Sequence, residues 1–303
     1  WIKPSVARHH PHLNHCGCAA KLNIILMKHY RAIIKPTPTE IMPLNYMLLF
    51  VGAGNSADAQ YAYAEVIEKL YVDRLRQGGN GKTIVLNHII MDLPGHGSQT
   101  AQCDNLYQWA GHVANFIIDQ CKMSTPDINK KVIVIGNSLG GHLIYGIMQD
   151  LMKKKADCVG KVFFVISGAP PKYSGKLPEP QYAPKNYATT VAISLLPKET
   201  FTAEDAEIFV KCQFPKDYNK EVIDNYRNAA MDTKFRKELV ISLFEGGLNE
   251  LKVLESWLFS HVLMIHAEDD AAVNVKYFDY VDSKNFYSSK LIICPGTHQC
   301  MKT

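Results

Sequence analysis

The segment Lys131–Gly140, with the sequence KVIVIGNSLG, decides the fold of this chain. Its first five residues have the near-continuous apolar character of a buried strand, and apolar residues at helical spacing begin again at Leu143. Between the two patterns lies Ser138, in a G-x-S-x-G sequence. A serine framed by glycines between a strand and a helix is typical of a sharp, strained turn that exposes its hydroxyl as a nucleophile. We therefore predict a strand, a nucleophile turn at Ser138 and a helix.

Strand and helix patterns alternate on both sides of this segment. Such alternation favours an α/β architecture, in which a mostly parallel, twisted sheet carries helices on both faces. The predicted strands are Tyr46–Val51, Thr83–Met91, Lys131–Ile135, Val162–Ile166, Val262–Ile265 and Lys290–Cys294, and the predicted helices between them are Tyr61–Arg76, Leu106–Cys121 and Leu143–Lys154.

The alternation stops between Pro170 and about Leu254. This block opens with a proline-rich stretch and continues as helical patterns at Thr202–Lys211, Lys220–Asn228 and Thr233–Phe244. A helical block inserted between two strands of one sheet predicts a cap or lid. The predicted organisation is a lead-in at 1–44, a core formed by 45–169 and 255–303, and a lid at 170–254.

Composition excludes several classes of protein. The chain has 303 residues, of which 47% are hydrophobic and 20% charged, and its 33 basic and 29 acidic residues are dispersed. These values are typical of a globular protein, and they predict no nucleic-acid partner. No apolar run approaches the roughly 18 residues of a membrane span. The eight cysteines have no repeated spacing and no signal-peptide pattern precedes them, so we expect reduced thiols and a cytoplasmic location.

A serine nucleophile needs a base that removes its proton and an acid that orients the base. After the predicted strand Val262–Ile265, the loop offers Glu268, Asp269 and Asp270 as acids, and His298 follows the last predicted strand. Because parallel strands end at one edge of a sheet, these residues are expected on the same side as Ser138. The sequence thus predicts a serine–acid–histidine triad, with three candidates for the acid.

These segments resemble the α/β-hydrolase fold superfamily, in its serine-hydrolase branch with a helical lid. Its pattern H-G-x-x-D-x-x-V matches His266, Asp270 and Val273, with Ala267 in place of the glycine. The resemblance therefore selects Asp270 as the acid. The family's G-x-H ending falls on His298, which makes that residue the base.

The resemblance extends to two loops upstream. Asp92–Ser98 matches the family's D-x-P-G-x-G-x-S turn, where His96 is a structural residue, not a catalytic one. Val51–Gly54 takes the place of the usual H-G after an early strand. The resemblance implies an oxyanion hole made by the backbone N–H groups of Ala53 and Leu139.

The function that the resemblance implies is hydrolysis of a carboxylic ester or related acyl bond in a small or lipid-like substrate, without a metal or organic cofactor. Thioesterases, amidases, carbon–carbon bond hydrolases and acyltransferases use the same triad and stay open as alternatives. So does a ligand-binding or regulatory protein that keeps the fold with little turnover. Seven lid residues either line an acyl pocket or form the core of the lid: Tyr182, Tyr187, Leu195, Leu196, Phe201, Phe209 and Phe214.

Three other features of the sequence lead to further hypotheses. Gly52–Ala57 matches the G-x-G-x-x-A pattern of dinucleotide-binding sites. Such a site also needs an acidic residue after the second strand, and Asp92 lies about twice as far from the glycines as expected. The histidines and cysteines within His9–Cys18 are dense enough for a metal, although their spacing matches no standard zinc site. Only Gln299–Thr303 follow His298, where the family has a covering helix. We expect either a truncated chain or residues around Leu22–Ile34 in that place, with marginal stability.

Overall fold

A seven-stranded sheet organises the molecule. The computed structural model describes residues 28–34, 45–50, 84–91, 93–94, 105–123, 131–175, 178, 180–214, 220–231, 236–245, 247–257, 261–282, 284 and 286–298. The strands are β1 Lys28–Ile34, β2 Asn45–Phe50, β3 Ile84–Met91, β4 Lys131–Asn137, β5 Val162–Ser167, β6 Val262–Ala267 and β7 Phe286–Cys294. Their order in the sheet is β1-β3-β2-β4-β5-β6-β7.

The sheet is parallel from β3 to β7, and β1 alone runs antiparallel, beside β3. The chain leaves β2 for β3 on one side and returns to β4 on the other, so the strand order reverses between β2 and β4. In open α/β sheets, ligands bind at such a reversal, outside the carboxyl ends of the strands. The register aligns those ends, since Asn137 lies opposite Ser167 and Ala267 lies opposite Cys294.

Seven α-helices lie in the described part of the chain. They are α1 Leu106–Met123, α2 Leu139–Lys153, α3 Tyr187–Leu195, α4 Ala203–Lys211, α5 Lys220–Met231, α6 Arg236–Glu245 and α7 Glu250–Ser256. Helix α2 is buried along most of its length and packs closely on α1. Gly146 allows this approach, because a Cβ atom there would lie 2.6 Å from the Cβ of Ala110.

Helices α3 to α7 all lie between β5 and β6, in the block where the sequence predicts a lid. The three helices predicted there are confirmed as α4, α5 and α6, while α3 and α7 were not predicted. Helix α4 begins as its sequence indicates, because the Thr202 hydroxyl and the Asp205 carboxylate cap each other's backbone N–H groups. A lid function for this block stays a prediction.

The largest departure from the sequence analysis is β1, which lies within the predicted lead-in. It occupies the edge of the sheet opposite β7. The expectation that residues around Leu22–Ile34 take the place of a helix after His298 is therefore wrong for Lys28–Ile34. The predicted helix Tyr61–Arg76 and the segment His9–Cys18 lie outside the described residues.

The described residues include neither a membrane-crossing helix nor a cluster of metal ligands. No helix among them combines the length and the hydropathy that a bilayer crossing needs. No group of three or more histidine, cysteine, aspartate or glutamate side chains among them is arranged to hold a metal ion.

Candidate active site

Ser138 lies in a strained turn between β4 and α2, as the sequence predicts. Its φ of 52° and ψ of −120° are unusual for a residue with a side chain. The turn is held on both sides. The Ser138 N–H donates to the carbonyl oxygen of Ser167 at 2.8 Å, and the Ser138 carbonyl accepts from the N–H of Gly141 at 2.8 Å. The surrounding hydrogen bonds thus maintain a backbone conformation that Ser138 would not adopt on its own.

Gly136 shows why the motif needs a glycine before the serine. A Cβ atom at this position would lie 2.4 Å from the carbonyl oxygen of Gly140, in the first turn of α2. No flexible side chain is available to move away, since the obstacle is backbone. The tight return of the chain after β4 therefore depends on the absence of a side chain at Gly136.

His298 and Asp270 form a hydrogen-bonded pair. The Nδ1 atom of His298 lies 2.7 Å from Oδ2 of Asp270, and the side chains are 12% and 0% exposed. The other carboxylate oxygen accepts hydrogen bonds from the backbone N–H groups of Ala272 at 2.8 Å and Val273 at 3.0 Å. Asp270 is thereby fixed in one orientation toward the histidine ring.

The surroundings of Asp270 keep it ionised at neutral pH. Burial by itself raises the pKa of this carboxyl, but the charge of His298 and hydrogen bonds from His298, Val273 and Ala272 outweigh it and lower the pKa to about 2. A carboxylate accepts hydrogen bonds and donates none, so Nδ1 of His298 carries a proton. In the neutral ring, Nε2 is then left as the basic nitrogen.

The two competing acids lie elsewhere. The side chains of Glu268 and Asp269 are exposed, whereas Asp270 is fully buried. Their backbone N–H groups donate to the carbonyls of Cys294 at 2.9 Å and Gly296 at 3.0 Å, which fixes the loop to the end of β7. Of the three candidates, Asp270 is the one that contacts His298.

Ser138 and His298 both line one cavity of about 310 Å³. The lining is mostly apolar, and much of it comes from the helical block after β5. Of the seven lid residues proposed from the sequence, Tyr182, Leu196 and Phe209 line the cavity. Tyr187 is 84% exposed, and the other three are buried elsewhere: Leu195, Phe201 and Phe214.

Comparison with known proteins supplies the family. The model of the alpha/beta hydrolase family matches residues 47–301. The chain belongs to the alpha/beta hydrolase family. No curated protein matches the sequence at a significant level.

Three hydrolases are among the solved structures that are similar to this chain. A complex of the N-acyl homoserine lactonase AidH with N-hexanoyl homoserine lactone has a TM-score of 0.58 at 16% identity, over 90% of each chain. A thermophilic esterase from Thermogutta terrifontis has a TM-score of 0.56 at 13% identity, over 90% of this chain and 86% of the other. An N-formylmaleamic acid deformylase from Pseudomonas putida S16 has a TM-score of 0.53 at 13% identity, over 90% and 94%. At these identities the likeness shows the fold.

Of the two predicted oxyanion-hole residues of this alpha/beta hydrolase, Leu139 is among the described residues and Ala53 is not. Leu139 lines the cavity and is the first residue of α2. Its backbone N–H belongs to the first turn of the helix, which leaves it without a partner inside the helix. Ala53 lies outside the described residues, as do Asp92 and His96.

Two residues missed by the sequence analysis support His298. The side-chain amide of Asn137 donates to the carbonyl oxygens of His298 at 3.3 Å and Ser167 at 3.4 Å, so it connects the end of β4 to the histidine loop. Gly168, directly after β5, has a φ of +58°, and a Cβ atom there would lie 3.0 Å from Cε1 of His298. Asn137 occupies the variable position before the serine of the G-x-S-x-G motif. An amide side chain at that position is the sequence signal that could have indicated this bridge.

Gly168→Ala should strongly reduce turnover and lower the free energy of unfolding only modestly. The added methyl group faces the His298 ring at 3.0 Å and meets a backbone with positive φ. If His298 is the base that the sequence predicts, we expect kcat to fall by about 100-fold, because small displacements of a catalytic group have effects of that size. The free energy of unfolding should fall by about 1–2 kcal/mol. Steady-state kinetics and urea unfolding measure the two effects.

Gly247→Ala is the matched control, because Gly247 also has a positive φ, of +70°, but nothing lies within 4 Å of an added Cβ atom. Gly247→Ala should lower the free energy of unfolding about as much as Gly168→Ala does and leave kcat unchanged. Equal losses of kcat in both variants would contradict a role for Gly168 in positioning His298.

Proposed function

We propose that this chain is a serine hydrolase that cleaves a carboxylic ester or a related acyl bond, with Ser138, His298 and Asp270 as its triad. The observation that carries the proposal is the Asp270–His298 hydrogen bond of 2.7 Å beside a cavity that Ser138 also lines. A serine in a strained turn, a histidine with a basic Nε2 and a buried carboxylate are the three parts that nucleophilic acyl transfer needs.

The reaction follows from these roles. Nε2 of His298 accepts the hydroxyl proton as Oγ of Ser138 bonds to the substrate carbonyl carbon. The resulting oxyanion accepts a hydrogen bond from the backbone N–H of Leu139, with the N–H of Ala53 as the second donor that the family resemblance implies, each worth about 3 kcal/mol. The histidine then gives its proton to the leaving alcohol as the bond to that alcohol breaks.

Water completes the cycle. His298 removes a proton from a water molecule, the water oxygen attacks the ester carbon of the acyl-enzyme, and the proton passes to Ser138 as the acid leaves. Asp270 stays ionised throughout and stabilises the histidine when it is positively charged. The chemistry balances with the substrate and one water molecule.

The cavity supports a substrate with a small apolar acyl group. Its volume of about 310 Å³ is at the lower end of the range for small-molecule sites. Side chains such as Leu196, Phe209 and Leu243 line it. An ester is favoured over an amide because an alkoxide is the easier leaving group, and the ester is our first choice among the alternatives that share the triad.

Hydrolysis of a series of 4-nitrophenyl esters with acyl chains of about two to ten carbons tests this proposal. We expect turnover well above the buffer rate, with kcat/KM highest for a chain that fills the cavity and lower for longer ones. The matched 4-nitroanilide of the best acyl group should react much more slowly. No ester hydrolysis above the buffer rate by folded protein would contradict the proposal, and faster cleavage of the anilide would favour an amidase.

A further inference from the structure

A second acid–histidine pair borders the same cavity. Nδ1 of His142 lies 3.0 and 2.8 Å from the two carboxylate oxygens of Glu250. Both side chains are buried, with 1% and 0% of their surface exposed. Nε2 of His142 is hydrogen-bonded to the hydroxyl group of Tyr182, and both of these residues line the cavity. A chain of polar groups therefore runs from a buried carboxylate to the hydroxyl of Tyr182, a residue that lines a mainly apolar pocket.

The donors around Glu250 determine where the protons of this chain lie. Besides His142, the hydroxyl of Tyr107 donates to one oxygen at 2.8 Å, and the backbone N–H of Lys172 donates to the other at 2.7 Å. Both oxygens thus accept, which suits the carboxylate form. His142 then donates from Nδ1. In the neutral form of the ring, Nε2 accepts the Tyr182 hydroxyl proton. The Tyr182 oxygen keeps its lone pairs as acceptors.

Tyr182 is held at both its backbone and its hydroxyl. Its backbone forms a bridge with Val273, whose N–H donates to the carboxylate of Asp270. Burial and then the charges of Glu250 and Asp270 raise the pKa of the Tyr182 phenol well above its usual range, so the hydroxyl keeps its proton. A fixed, neutral hydroxyl next to the acid loop is pre-organised to bind a group on the substrate.

His142 connects this hydroxyl to the turn that carries Ser138. It follows Ser138 by four residues, which is about 6 Å along a helix axis. The His142 N–H also donates to the Ser138 carbonyl at 3.1 Å, so the two residues share the first turn of α2. A group bound to Tyr182 would therefore lie near the carbonyl that Ser138 attacks.

We propose that Tyr182 is a specificity-determining acceptor, positioned by His142 and Glu250, for an N–H or O–H group that the acyl part of the substrate carries close to the scissile carbonyl. The inference rests on the proposed function and narrows its substrate class to hydroxyacyl or acylamino compounds. In a mainly apolar cavity, such a donor loses its hydrogen bonds to water on binding. A hydrogen bond to the Tyr182 oxygen replaces one of the lost hydrogen bonds. A substrate without the donor obtains no binding energy from Tyr182.

The test uses pairs of substrates that differ in one donor. The 4-nitrophenyl esters of 2- and 3-hydroxybutanoic acid are compared with those of the corresponding O-methyl ethers, which keep the oxygen and lose the O–H. We expect the protein to favour at least one hydroxy ester over its ether by about tenfold in kcat/KM. In Tyr182→Phe this preference should fall to about twofold or less.

Two variants and one independent measurement make the outcome decisive. Tyr187→Phe, at a tyrosine that is 84% exposed, should keep the full preference. Glu250→Gln should weaken it, because an amide cannot accept from all the donors that now meet the carboxylate. Labelling of Ser138 by a fluorophosphonate should proceed in all of these variants, since none of the three residues belongs to the triad.

The inference is overturned if the wild type and Tyr182→Phe discriminate equally between the esters and ethers while both are labelled at Ser138. The proposed function would survive that result. If the folded wild type is not labelled at Ser138, the proposed function fails and this inference fails with it, so the two failures are distinguishable.

Discussion

Ser138→Ala should reduce kcat for the best ester substrate by at least about 10⁴-fold. The alanine keeps the size of the residue but removes the oxygen that bonds to the carbonyl carbon, and no other described hydroxyl replaces it in the strained turn after β4. The backbone N–H of Leu139 is unaffected, so KM should change little. Release of 4-nitrophenol at saturating ester concentration measures the effect.

Ser194→Ala is the matched control for this variant. Ser194 is exposed on α3, and its hydroxyl donates only to the carbonyl of Val191 at 2.7 Å. We expect its kcat to equal that of the wild type. If Ser138→Ala keeps more than about a tenth of the wild-type turnover, Ser138 is not the nucleophile.

Asp270→Asn should lower kcat by about 10⁴-fold while leaving substrate binding nearly unchanged. The asparagine side chain has an N–H₂ group, which turns Nδ1 of His298 into an acceptor and moves the ring proton to Nε2. The histidine then has no basic nitrogen for Ser138. Asp269→Asn, at the exposed neighbour of the same loop, should retain wild-type activity, and an equal loss in both variants would contradict the assignment of Asp270.

The same variant should change how stability depends on pH. The folded pKa of Asp270, about 2, lies below its usual value of 3.8, so the unfolded chain takes up the proton first as the pH falls. The stabilisation is therefore complete above about pH 4 and is lost as the pH falls through 2, and it amounts to about 2 kcal/mol. Urea unfolding of the wild type at about pH 4.5 and pH 3 should show a larger fall in stability than unfolding of Asp270→Asn.

The parts of the site that follow from sequence are those that local patterns determine. The strand, turn and helix around Ser138 lie within one short segment, and their apolar spacing and glycines leave few alternatives. Asp270 and His298 each follow a strand whose apolar run is readable. Because parallel strands end at one edge of a sheet, residues 28 positions apart in sequence could be expected to lie together.

The parts that sequence could not supply depend on contacts between distant segments. His142 and Glu250 are 108 residues apart, and neither belongs to a pattern that predicts a partner. Gly168 is set apart by its positive φ and by what a side chain there would touch, and neither property can be read from the sequence. Burial likewise separates Asp270 from Asp269, since the two carboxylates are adjacent in sequence and chemically identical.

The helical block and the first strand show a further limit. Helix α4 has a clear capping box and α5 an amphipathic pattern, whereas α7 has seven residues, too few to show a period. Strand β1 lies in a region where mixed polar and apolar residues fit several structures equally well. Its place beside β3 is determined by pairing across the sheet, which a linear pattern does not show.

Reaction of the purified protein with a fluorophosphonate, followed by intact mass and peptide mapping, shows whether Ser138 is an activated nucleophile. The reagent phosphonylates a serine only when a base and an oxyanion hole activate it, and it requires no knowledge of the substrate. We predict one adduct per chain on Ser138, with labelling lost in Ser138→Ala and slowed strongly in Asp270→Asn. A folded protein that stays unlabelled at Ser138, or is labelled equally in all three forms, would contradict the triad.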